Sequence, residues 1–193
     1  MKETEMEDFP PDEVRDTHTI ARRALALFGV VGLALGAPKN DILDWLKVEG
    51  LWGQLSPSEL AYVSAEEPTR KQKIEATWWS ERLIVLLWAL NKVEQLPAPD
   101  EQCDTALFQE VLPPFADMSV AEFITSSRRL SEEELLSMAD NIMDLHWKAR
   151  DAEIHSRQSP PVVDIEIIQE RHHAINWVIG YEGLSWDEVT TDT

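Results

Sequence analysis

The C-terminal part of the chain contains Glu170-x-x-His173, a spacing that carboxylate-bridged di-iron proteins use on a helix. Such a site needs a second copy of this motif and two more glutamates on facing helices. None of the other four histidines has a glutamate three positions before it. A mononuclear metal site built from His173, Glu170 and His146 stays open, but a structural or solvated His173 is the favoured interpretation. We therefore predict no metal site.

Hydrolytic chemistry would have to use carboxylates such as Asp140, Asp144 and Glu170, with His146 as the base. The sequence has no nucleophile elbow, no glycine-rich phosphate loop and no H-E-x-x-H motif. The single cysteine, Cys103, lies among acidic residues, which raise the pKa of a thiol. These observations favour a protein without catalytic residues or a cofactor.

Seven polar residues on two predicted helices and the C-terminal tail form the candidate site. Polar groups that converge beside tryptophans are typical of a ligand pocket. The same groups would also suit a closed hydrogen-bonded network that holds the tail in place, and we favour that alternative. An opening lined by His146 and Trp177 would indicate a pocket instead. The seven residues are His146, Arg150, Glu170, Arg171, His173, Asn176 and Asp187.

Arg171 lies in the middle of an apolar helix face, at about 100° per residue. Since an arginine keeps its charge, burial there requires a carboxylate partner or several carbonyls. Trp186, close to the C-terminus, also needs an apolar slot for its ring. We therefore expect the tail to dock back on the helices, with Asp187 or Asp192 pairing with Arg171 or Arg150.

The elements that must position these groups are predicted to be helices, so the fold class is all-α. Strand-like alternation is nearly absent, whereas helix-start signals recur. Capping boxes are predicted at Ser56-Pro57-Ser58-Glu59 and at Ser131-Glu132-Glu133-Glu134. Asp164 is predicted to be an N-cap, and Gly180 to end a helix in the left-handed conformation. We predict a single compact domain of about eight helices, near 13–35, 39–49, 57–64, 69–94, 104–111, 118–126, 132–157 and 164–179.

The apolar pattern predicts which helices lie at the centre. Residues 83–90 contain no polar side chain, and a helix that is apolar all round is enclosed by others. The helix at 132–157 carries an apolar stripe at spacings of three and four. We therefore place 83–90 in the middle, with 135–152 and 167–178 packed near it.

The charge balance limits the partners. The 193 residues include 36 acids against 17 bases, a formal net charge of −19. A field of this sign disfavours nucleic acid and anionic membranes, and it suits a basic protein partner.

Residues 1–12 are predicted to be an acidic disordered tail before a domain over 13–193. The apolar run 24–37 is too short to span a bilayer, so a cytoplasmic protein is expected.

Two C-terminal motifs are familiar. Residues 170–177, ERHHAINW, and residues 186–193, WDEVTTDT, resemble the bacterial family catalogued as domain of unknown function 4272 (DUF4272). Its pattern is E-R-x-x-A-L-N-W followed by W-D-x-V-x-T-D-T, and Ile175 replaces the usual leucine. The resemblance covers roughly residues 20–193. It implies a fold and its boundaries but no assigned activity.

Two functional hypotheses follow from the sequence. The favoured one is a non-catalytic binding protein, for example an acidic immunity-type protein that neutralises a basic partner. The alternative is an enzyme or small-molecule binder that uses the polar cluster around His146 and Glu170, with or without a metal.

Overall fold

The computed structural model describes residues 13–155 and 162–193. Within these ranges the chain forms eight α-helices and two short 3-10 turns, with no strand, so the all-α prediction is confirmed. Residues 1–12, predicted to be a disordered acidic tail, lie outside the described residues. The helices are α1 (Thr17–Ala34), α2 (Lys39–Val48), α3 (Pro57–Ser64), α4 (Arg70–Ala89), α5 (Leu107–Val111), α6 (Val120–Ser126), α7 (Glu132–Ile154) and α8 (Ile165–Ile179).

Local capping explains where most of the helices begin. The capping boxes predicted at Ser56 and Ser131 are present, and the Asp164 side chain accepts from backbone N–H groups at the start of α8. Two boxes that the sequence analysis did not single out start α4 at Thr69 and α6 at Ser119. Each box satisfies backbone donors that a helix start would otherwise leave unpaired.

The residue after α8 must be a glycine. Gly180 has φ of 75°, in the left-handed region, which confirms the predicted stop. A Cβ atom at this position would lie 2.1 Å from the carbonyl oxygen of Glu13. The N-terminal segment therefore crosses directly over the end of α8, where the Arg15 backbone N–H donates to the Val178 carbonyl at 2.9 Å.

The centre of the molecule is α4. Residues 83–90 are all buried, as predicted, with α1 and α8 packed against α4. Helix α7 covers α8 on its far side, and α2 and α6 lie against α1. The order α1–α4–α8–α7 makes α8 an inner helix, which explains why residues 171–180 are buried on every face.

Several helices are shorter than predicted. Helix α4 ends at Ala89 instead of residue 94, because Asn91 turns the chain with φ of 55°. Asparagine tolerates this left-handed conformation better than most residues. Helix α1 begins only at Thr17, since the Asp16 side chain caps it by accepting from the Thr19 N–H at 2.9 Å.

Candidate functional site

Arg171 is the best-connected of the predicted residues. It is 2% exposed and lies where α8 faces α4 and the segment 97–101. Its Nε donates to Glu81 Oε2 at 2.9 Å, and its two terminal nitrogens donate to the carbonyls of Pro97, Ala98 and Glu101 at 2.7 to 3.2 Å. The burial of this arginine is therefore balanced by both a carboxylate and several carbonyls, as its position required.

The carboxylate partner of Arg171 is Glu81 on α4, which the sequence analysis did not identify. Glu81 shares a helical face with Ile84, Val85 and Trp88. A single carboxylate on an otherwise apolar face is the sequence feature that could have identified it as the partner. Its Oε1 also accepts the backbone N–H of Cys103 at 2.7 Å. Burial, followed by the charge of Glu81, raises the pKa of the Cys103 thiol to about 12. This thiol is protonated at neutral pH.

His146 pairs with another histidine. Its Nδ1 lies 2.9 Å from Nδ1 of His172, and both side chains are 2% exposed between α7 and α8. One ring must donate and the other accept, so the contact requires that they are not both protonated. Burial, and then the charge of the neighbouring ring, lowers the pKa of His172 to about 4. Burial, and then the nearby Arg150, also lowers the pKa of His146. Arg150 itself is exposed.

Glu170 and His173 meet on Arg82 of α4. Glu170 forms a short ion pair with Arg82, and His173 Nε2 lies 3.2 Å from Arg82 Nη1. The His173 ring packs edge-on against Trp186, with centroids 5.0 Å apart, and hydrogen-bonds to the Trp186 backbone. Burial, and then the charge of Arg82, lowers the pKa of His173 to about 2. His173 is therefore neutral at physiological pH.

The tail docks as predicted, but through different partners. Trp186 is 5% exposed and contacts Trp177 edge-on, and the Arg23 guanidinium lies 4.6 Å from its ring centroid. Asn176 Nδ2 donates to the Thr190 carbonyl at 3.1 Å, which holds the last residues on α8. Both contacts tie the tail to the inner helices.

The predicted ion pair of Asp187 or Asp192 with Arg171 or Arg150 is wrong, since among the described residues Arg171 binds Glu81 and neither aspartate pairs with these arginines. Asp187 instead accepts from the Ser58 backbone N–H at 2.8 Å and from the Ser58 hydroxyl at 2.9 Å, at the start of α3. The tail therefore meets the start of α3, where Ser58 supplies the donors for Asp187. A helix N-terminus attracts a carboxylate as an arginine does.

A second buried ion pair lies beneath the tail. Arg23 of α1 is 4% exposed and binds both oxygens of Glu59 and the Gln54 carbonyl. Glu59 also accepts the Ser56 N–H at 3.0 Å as part of the α3 capping box. Arg15 anchors the chain start by donating to the Trp177 and Leu184 carbonyls at 2.7 and 2.6 Å. Arg23 and Arg15 therefore both contact the tail, at Trp186 and Leu184, and stabilise its position.

Six of the seven predicted residues are thus distributed over several contacts, while Arg150 lies exposed on α7. Arg171 binds Glu81, His146 binds His172, Glu170 and His173 bind Arg82, and Asn176 and Asp187 hold the tail. The mononuclear trio is not assembled, and in residues 13–155 and 162–193 no three His, Cys, Asp or Glu side chains are grouped as metal ligands.

Two adjoining cavities follow one side of α7, forming a groove that we call the α7 groove. One, of about 420 Å³, is lined by Arg171 and by residues 94–99; the other, of about 590 Å³, extends toward the N-terminus of α7. They share four lining residues and therefore lie side by side. The shared residues are Trp88, Glu94, Met138 and Asn141. Of the seven residues of the candidate site, Arg171 borders this groove.

Comparisons with known proteins place the chain in a family. No curated protein and no solved structure matches it. No helix of the described residues is both long and apolar enough to cross a membrane. A family model described as "Domain of unknown function (DUF4272)" matches residues 4–189, nearly the whole chain. The chain belongs to the DUF4272 family.

Proposed function

We propose that this protein is a non-catalytic binding protein whose partner is a protein with a basic surface. The observation that carries this proposal is the direction in which the charged side chains of the protein point. Arg23, Arg82 and Arg171 point inward onto Glu59, Glu170 and Glu81, so these cations do not offset the surface acids. Most other carboxylates in the described part of the chain are exposed. The negative field therefore faces solvent, where it accelerates encounters with a cationic partner.

The state of the polar cluster supports a role without catalysis. A general acid or base works best when its pKa lies near the working pH. Burial lowers the pKa of His172 to about 4 and that of His173 to about 2, so both rings stay neutral at pH 7. Arg171 and Glu170 are already bound to side chains of α4. These groups hold helices and tail together.

One specific role of this kind is an immunity-type protein in the cytoplasm that neutralises a basic toxin. Rapid electrostatic encounter would suit that task, because a toxin must be captured before it acts. The genes beside the coding sequence test this role, since a toxin gene is expected among them.

The proposed function is tested by capturing partners with the tagged full-length protein from the cells that produce it. The captured protein is then purified, and its dissociation constant is measured from about 50 mM to about 500 mM NaCl. We expect a partner with net positive charge, and an affinity that falls as salt rises. A partner of net negative charge, or an affinity independent of salt, would contradict the proposal.

A separate cavity favours a second candidate, a small-molecule binder. A space of about 600 Å³ lies between α1, α2 and residues 105–115. Its walls include Phe28, Trp45 and Phe115, and Phe115 is 63% exposed at the edge. Aromatic walls of this kind suit an uncharged apolar ligand. Fluorescence of the uncharged dye Nile red tests it: binding by the native protein and weaker binding by Phe115→Ala are expected.

A further inference from the structure

We infer that the α7 groove is the docking site for a basic amphipathic helix of the partner. This inference rests on the proposed function and adds where, and by which element, the partner is bound.

The floor of the groove is apolar in the cavity beside residues 94–99. Trp88 is 7% exposed and Ile142 is 2% exposed, while Met138 and Leu145 are half-buried beside them. All four line the cavities along α7. Met138 adds an unbranched thioether side chain, which adapts its shape to different apolar surfaces. This floor can cover an apolar ridge of a partner.

The rim of the groove is acidic. Glu94 borders both cavities, and Glu133 and Glu134 border the one nearer the start of α7. All three side chains are exposed. Hydrogen bonds from the side chain and backbone of Ser131 lower the pKa of Glu134, so this carboxylate stays ionised even in mild acid. The cation in the lining, Arg171, is already paired with Glu81. The rim therefore complements positive charges beside an apolar ridge.

The length of the groove fits a helix. From Glu133 to Leu145 the lining residues cover about 18 Å along the α7 axis, at 1.5 Å per residue. A helix of about 12 residues has the same length. An amphipathic helix in an apolar groove is a recurrent mode of peptide recognition, in which residues three and four apart provide the anchors. Lysines or arginines that flank those anchors would reach the carboxylates of the rim.

The probe for the test is a synthetic peptide of about 18 residues with leucines on one helical face and lysines beside them. A scrambled peptide of the same composition, without an amphipathic face, is the reference. Backbone amide shifts of the full-length 15N-labelled protein locate the binding site, and a titration gives the affinity. We expect shifts concentrated at residues 88–99 and 133–145, and weaker binding of the scrambled peptide. Shifts centred elsewhere, or equal binding of both peptides, would overturn the inference.

Matched variants separate the groove from the general negative field. Glu94→Gln with Glu133→Gln removes two rim charges, whereas Asp140→Asn with Glu153→Gln removes two exposed charges outside the lining. We expect the rim variant to weaken peptide binding about fivefold or more, and the control variant to change it less than twofold. Met138→Lys should also abolish binding, with circular dichroism confirming that the helices persist. Equal losses in the two double variants would refute the groove as the site.

The same variants are then measured with the purified natural partner. If the partner binds the rim variant as tightly as the native protein, the groove inference fails while the proposed function stands. If no basic partner is captured, the proposed function fails, and the peptide titration still decides whether the groove accepts a basic helix.

Discussion

The buried pair of Arg171 and Glu81 shows how a single residue can control stability here. Both side chains are nearly inaccessible, and Glu81 supplies the charge that balances the guanidinium. Removing one partner of such a pair is costly because the other charge stays buried without compensation. The carbonyls around Arg171 provide hydrogen bonds, but not a full counter-charge.

Glu81→Gln is therefore expected to lower the free energy of unfolding by about 3 kcal/mol, although the amide keeps an acceptor for the Cys103 N–H. Urea unfolding measures the change, with Glu75→Gln, an exposed change on the same helix, as the control. Replacing both partners, as in Glu81→Gln with Arg171→Met, should recover part of the loss. A single variant as stable as the native protein would show that the carbonyls alone suffice.

The neutral histidines make the stability depend on pH. The pKa of His172 falls from about 6.5 to about 4 on folding, and that of His173 to about 2. Between these values the unfolded chain binds protons that the folded chain does not, so stability is complete above pH 6.5 and decreases as the pH falls.

From pH 6.5 to pH 5 we expect the two rings together to lower the unfolding free energy on the order of 3 kcal/mol. Chemical denaturation at several pH values measures the slope. His172→Gln removes one of these rings and should make the slope shallower, while His173 and His146, whose pKa values are also lowered, keep part of it. An unchanged slope in that variant would contradict the assignment.

At the scale of the elements, the C-terminal tail behaves as a part of the core. Trp186 fills the space between α8 and the Arg23 side chain, and Asn176 fixes the Thr190 carbonyl. Chain ends commonly fray, but here the last residues carry a buried aromatic ring. The tail also completes α3, because Asp187 accepts the Ser58 N–H.

The two contacts of the tail should differ in energy. Trp186→Ala removes a buried ring and is expected to cost about 3 to 5 kcal/mol. Asp187→Ala removes an exposed cap and should cost only about 1 kcal/mol. Thermal unfolding compares both with Asp192→Ala, another exposed aspartate of the tail. A larger effect of Asp187→Ala than of Trp186→Ala would mean that the charge, and not the ring, holds the tail.

The helices themselves were largely predictable, while several of their ends were not. The starts at Ser56, Ser131 and Asp164 depend on residues within three positions, so the signal is local. The end of α4 depends on the turn at Asn91, and on the Leu130 N–H that donates to the Ala89 carbonyl at 2.9 Å. This hydrogen bond joins residues far apart in the sequence, so the apolar periodicity of a helix cannot predict it.

At the scale of the whole molecule, the net charge of −19 opposes the compact state. The ion pairs of Arg23 and Arg171 are buried and therefore little affected by added salt. The repulsion between the exposed carboxylates, in contrast, is screened within about 10 Å at 0.1 M salt.

We therefore expect the melting temperature to rise by a few degrees between about 10 mM and about 500 mM NaCl. Differential scanning calorimetry measures the melting temperature at each salt concentration. The reference is the same buffer at the same pH without added salt or osmolyte. A melting temperature that falls with salt would indicate that surface ion pairs, such as Lys148 with Asp144, outweigh the repulsion.

The sequence alone determined the helices, the caps at Ser56, Ser131 and Asp164 and the central position of residues 83–90, because these properties follow from neighbours a few positions apart. It also showed that Arg171 needs a counter-charge and that Trp186 needs a slot. The tertiary structure decided which groups meet those needs. Glu81 and Asp187 carry the same charge, and only the placement of α4 and α3 makes one the partner of Arg171 and the other the cap of α3.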